Sequence, residues 1–177
     1  ALQCTQDVYD GMKTTDIAQA LILTTRAFIE RDPAYSKMTS RLLAHKVYKE
    51  TAGEHVDFTK LDDCYRKTFV KNIKVLLELK KLDERMGNFD LERLATVLKP
   101  ERDDLFLFLG MQTVADRYFL NHPTTQQLLE TPQAFWMRVA MGLALNETRG
   151  QRDDMAIRFY ELISTLRFVP STPTLFH

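Results

Sequence analysis

The stretch "AFWMRVAMGLAL", residues 134–145, carries one charge, Arg138, in an otherwise apolar run. A helix that is apolar on every side has to be buried, so other elements must surround it. Thr131-Pro132 makes a good start for it, because Pro is tolerated at the first helical position, where its missing N–H would have had no partner. The chain has the material to wrap such a helix. Of its 177 residues 45% are hydrophobic, enough for a real core. Only six glycines and six prolines punctuate it, which suits helices and argues against a sandwich of many short strands.

Helical spacing recurs along the rest of the chain. Thr14-Thr15-Asp16 offers N-cap chemistry with an acid in the first turn, followed by Ile17, Ala20, Leu21, Thr24 and Phe28. Arg31-Asp32-Pro33 breaks that helix. The next puts Met38, Leu42, His45 and Tyr48 on one face and ends at Gly53. Thr59-Lys60-Leu61-Asp62 resembles a capping box, leading into a stripe of Leu61, Tyr65, Phe69, Ile73, Leu76 and Leu77 that reaches about Lys81. A short helix is predicted over 90–98, another over 104–118, and a last one over 153–166 with Met155, Phe159, Leu162, Ile163 and Leu166 as its stripe. Tyr118-Phe119-Leu120 and Gln127-Leu128-Leu129 read as short strands around the turn Asn121-His122-Pro123. The end of the chain, "FVPSTPTLFH" (168–177), reads as an extended strand held by Pro170 and Pro173.

Several functions are disfavoured by composition. Lys and Arg total 24 against 24 Asp and Glu, so there is no basic footprint for nucleic acid or for an anionic membrane surface. Apolar runs are too short for a membrane span, and residues 1–16 lack a secretory pattern. Cys4 and Cys64 stand in unrelated contexts with no metal spacing. They could pair, but a reduced cytoplasmic state is the expectation. The signatures GxGxxG, GxxxxGK[ST], HExxH and GxSxG are absent. His45 reads as a core or interface residue, His55 and His122 as solvated loop residues, and the acid pairs Asp62-Asp63, Asp103-Asp104 and Asp153-Asp154 as helix-start acids that complement the dipole. Ser171 and Thr172 would merely pack and cap a strand end, Thr14 would cap a helix, and Lys49 would be a surface lysine.

Three strings say more. "DRYFLNH" (116–122), "ETPQAFWMRVAMGLAL" (130–145) and "FVPSTPTLFH" (168–177) resemble the large subunit of class I ribonucleotide reductases, in that family's order and approximate spacing. "VYDGMKTTDI" (8–17) and "DPAYSKMTSRLLAHKVYKE" (32–50) resemble the last helices of its regulatory ATP-cone. The resemblance implies a mainly α chain: 1–52 as the C-terminal part of an incomplete ATP-cone, 53–166 as the helical N-terminal domain, and 167–177 as the first strand of the ten-stranded α/β barrel, within a longer polypeptide. It implies reduction of ribonucleoside diphosphates to deoxyribonucleotides by thiyl-radical chemistry, with a small (beta) subunit holding the metal-radical cofactor. ATP and dATP would be allosteric effectors, thioredoxin or glutaredoxin the reductant, and the large subunit a cytoplasmic homodimer. By the same resemblance Thr172, with Ser171 beside it, would bind the substrate diphosphate. Thr14 and Lys49 would face the allosteric nucleotide. The catalytic cysteines match neither Cys4 nor Cys64, so the chain alone is expected to be inactive. A rival from another class is a non-catalytic all-α interaction module whose tail adds a strand to a partner's sheet edge.

Overall fold

The run around Arg138 forms a helix that is buried on every side up to Met141, and the other elements are arranged around it. The computed structural model describes residues 9–53 and 56–176. Its helices are α1 (Thr14–Arg26), α2 (Ala34–Ala52), α3 (Leu61–Glu78), α4 (Leu91–Thr96), α5 (Phe108–Arg117), α6 (Pro132–Leu143), α7 (Arg152–Ile163) and the single turn α8 (Thr172–Leu175). Short 3-10 turns at Phe58–Lys60, Glu84–Asn88 and Pro100–Leu105 join them. Cys4, His55 and His177 lie outside the described residues.

In α6 every residue from Pro132 to Met141 is buried. Its aromatic pair organises the centre. Trp136 stacks on Phe106 with centroids 6.3 Å apart, and Phe135 meets Phe119 at 5.5 Å. Such pairs add to plain area burial. α7 packs along α6, α1 packs on α2, and α2 packs on α5. One hydrophobic cluster runs through all of this, from Ile22, Val47 and Tyr48 to Phe69, Trp136 and Ile163. Core packing is therefore continuous on both sides of residue 52.

Several local expectations are corrected. The terminal string is not a strand. Thr172–Leu175 closes a helical turn with Pro173 near its start, and Thr174 N–H donates to the Ser171 carbonyl at 3.0 Å. The reason is local. Pro170 and Pro173 have no N–H to give a ladder, and a φ fixed near −65° fits a first helical turn. Among the described residues no neighbouring strand is present to pair with. Leu175 drops into the core instead, at 5% exposure, which leaves the tail of the interaction-module reading already folded. The strands expected at 118–120 and 127–129 shrink to one antiparallel bridge, Asn121–Leu128.

Helix faces also turned. On α2 the buried residues are Thr39, Ser40, Leu43, Ala44, Val47, Tyr48 and Thr51, while Met38 is 51% exposed and His45 is exposed. Threonine hydroxyls can sit inward there because they bond back to the preceding turn, as Thr39 Oγ1 does to the Tyr35 carbonyl at 2.7 Å. On α7 the core face is Ala156, Tyr160 and Ile163, with Leu162 exposed. The capping box at 59–62 is replaced by Asp57, which accepts from Thr59 N–H at 2.9 Å. The helix expected from residue 104 starts at Phe108, after the Pro100–Leu105 turn.

Candidate functional site

Ser171 and Thr172 are both exposed. They sit on the rim of an apolar hollow of about 720 Å³ lined by Leu105, Leu109, Val114, Tyr118, Trp136 and Val169, among others. The segment 169–172 forms one wall of it and α5 another. Thr172 Oγ1 lies 3.2 Å from the Tyr118 hydroxyl, so the threonine that the resemblance assigns to the diphosphate is hydrogen-bonded to another of the three strings.

Beneath this rim is a buried ion pair. Arg138 Nε donates to Glu130 Oε1 at 2.6 Å, and both side chains are shielded from solvent. Arg138 Nη2 also donates to Glu130 Oε2 at 3.3 Å and to the Tyr118 carbonyl at 3.1 Å, and reaches the Leu175 carbonyl at 3.5 Å. Glu130 Oε2 accepts from Leu120 N–H at 2.8 Å. One arginine thus joins α6, the 118–131 loop and the terminal turn. Chemically the rim presents two hydroxyls, which can donate to an anion without adding bulk or charge.

Thr14 and Lys49 lie elsewhere. Thr14 is the exposed first residue of α1, with Lys13 at the N-cap and no side-chain cap bond. Lys49 is exposed in the last turn of α2. The connection 27–33 turns the chain back, and Lys46 Nζ donates to Gln19 Oε1 at 3.0 Å, so both residues lie toward the same end of this helix pair. No hydrogen bond or ion pair joins them. His45, one turn before Lys49, stacks on Phe58 at 4.5 Å. Its pKa is lowered by partial burial and then by the charge on Lys49. Cys64 is a half-buried free thiol. Among the described residues no cluster of His, Cys, Asp or Glu could hold a metal, and no helix is long and apolar enough to cross a membrane.

A second buried centre escaped sequence reasoning. Asp103 accepts from the Tyr48 hydroxyl at 2.6 Å, the Tyr65 hydroxyl at 2.9 Å and Gln133 Nε2 at 2.7 Å. Gln133 Oε1 accepts in turn from the Tyr160 hydroxyl at 2.8 Å. Burial pushes the Asp103 carboxyl up to about 7, against the pull of its three donors. Burial likewise raises Tyr48, with the Asp103 charge adding to it. The available signal was the set of tyrosines on apolar stripes, since a buried phenol needs a partner for its hydroxyl.

Residues 104–177 match the family described as "Ribonucleotide reductase, all-alpha domain". The chain is 41% identical over 97% of its length to the ribonucleoside-diphosphate reductase subunit alpha of Chlamydia pneumoniae, of which it spans 16%. It is 35% identical over 94% of its length to that of Helicobacter pylori strain J99, spanning 20% of it. To the ribonucleoside-diphosphate reductase 1 subunit alpha of Escherichia coli K12 it is 25% identical over 93% of its length, spanning 21%. The chain belongs to the ribonucleotide reductase large-subunit family.

Proposed function

We propose that this chain serves a ribonucleoside-diphosphate reductase, as part of an alpha subunit that converts ribonucleoside diphosphates to 2'-deoxyribonucleoside diphosphates by thiyl-radical chemistry. The carrying observation is the 41% identity along nearly the whole chain, joined to the convergence of three family strings on Arg138. In this reading the chain supplies the helical scaffold, and the catalytic cysteines and the ten-stranded barrel belong to other parts of the subunit. Ser171 and Thr172 bind the substrate diphosphate through their hydroxyls.

The same reading makes residues 1–52 a part of the ATP-cone. Thr14 and Lys49 then face the ATP or dATP effector, with Lys49 as the point charge at the phosphates. The partners are a metal-radical beta subunit, a second alpha subunit, and thioredoxin or glutaredoxin, in the cytoplasm. The test is deoxyribonucleoside diphosphate formation by the full-length gene product with its beta subunit and a thiol reductant. Nucleotide-dependent turnover is expected, and none by residues 1–177 alone. No turnover by the reconstituted full-length enzyme would overturn the reading.

A further inference from the structure

We propose that Tyr118 is the positioning residue for the Thr172 hydroxyl, donating to Thr172 Oγ1 so that Thr172's own proton points at a phosphate oxygen of the substrate. This rests on Thr172 being a diphosphate ligand.

A threonine hydroxyl on a mobile rim would be a poor anion ligand, because its single proton rotates freely. Here it is not left to itself. The Tyr118 hydroxyl lies 3.2 Å from Thr172 Oγ1. When Tyr118 donates, the threonine lone pair facing inward is filled and its O–H is directed outward. A donor that is itself receiving a hydrogen bond is also polarised and donates more strongly.

Tyr118 is built to hold that position. Its ring packs against Phe135 at 6.3 Å and Phe176 at 5.1 Å. Its carbonyl accepts from Arg138 at 3.1 Å, and Arg138 is held by the buried Glu130. The same guanidinium reaches the Leu175 carbonyl, so the segment carrying Thr172 and the segment carrying Tyr118 hang from one rigid group. A ligand held by a locked neighbour keeps the geometry that binding requires.

Kinetics of the full-length alpha subunit, reconstituted with its beta subunit, test this. Thr172→Val and Tyr118→Phe should each raise KM for the ribonucleoside diphosphate about fivefold, the value of one lost hydrogen bond, with kcat nearly unchanged. The double variant should be no worse than Thr172→Val, and Thr172→Ser, which keeps the hydroxyl, should restore KM. An unchanged KM in Thr172→Val would remove the diphosphate role and the positioning role together. A raised KM in Thr172→Val beside an unchanged KM in Tyr118→Phe would overturn the positioning role alone, as would additive effects in the double variant. Should Tyr118→Phe fold poorly, 3-fluorotyrosine at 118 keeps the shape and donates more strongly. It should lower KM, and an equal or higher value would overturn the proposal.

Discussion

Among the described residues two carboxylates are buried, Asp103 and Glu130, and they are handled in opposite ways. Glu130 faces a guanidinium at 2.6 Å. Asp103 has only neutral donors: two phenols and an amide. Both centres tie distant segments together. Glu130 and Arg138 join α6 to the 118–131 loop and the terminal turn, while Asp103 joins α2, α3 and α6 through Tyr48, Tyr65 and Gln133. The difference lies in what each would lose. An ion pair buried in a low-dielectric core holds only while both charges are present. A carboxylate held by neutral donors keeps paying the desolvation of its charge, so its protonation, and the stability that depends on it, follow pH.

The largest expected effect is at the ion pair. Arg138→Met leaves Glu130 buried without its cation and should cost about 3–5 kcal/mol, read as a fall in the urea midpoint or failure to fold. A loss below about 1 kcal/mol would mean that water reaches the pair. Next is Asp103→Asn, which turns an acceptor into a donor facing a tyrosine. It should cost about 1–3 kcal/mol.

Third is pH. The folded Asp103 titrates near 7, while an unfolded aspartate titrates at about 4. The folded state therefore binds more protons between these values, and stability contributed by this group is fully present below about pH 4 and lost as pH rises toward 7. Urea midpoints measured across that window should fall with rising pH, and Asp103→Asn should flatten the slope. A slope that persists in Asp103→Asn would assign the effect to another group. The smallest effect is at the exposed pair Arg41–Asp104, bonded at 2.8 Å and 2.9 Å. Arg41→Ala should leave the melting temperature within the scatter of repeat scans, because water screens exposed charges.

Much of the helical scaffold was legible. The α3 stripe of Tyr65, Phe69, Ile73 and Leu76 is the buried one, and α6 is buried from Pro132 to Met141, because the first is long and strongly periodic and the second almost wholly apolar. The faces of α2 and α7 were misjudged in part over residue size, and the larger Leu43, Val47 and Tyr160 were missed as well. Small and hydroxyl-bearing residues, such as Thr39, Ser40 and Ala156, were passed over in favour of larger apolar ones, yet close helix packing admits the smaller residue. Asp103 was read together with Asp104 as a helix-start acid. Only Asp104 stays at the surface, and nothing in a two-residue acid run says which carboxylate three other segments will enclose.

By itself the sequence determined that this is a helical chain around one apolar helix, and its strings identified the family. Those properties depend on local periodicity and on residue identity, which a linear chain carries whole. Only the tertiary structure decided that Arg138 gathers Glu130, Tyr118 and Leu175, that Tyr118 meets Thr172, and that the terminal prolines start a helical turn rather than a strand. Each of these is settled by which groups are left without water and must find partners far along the chain.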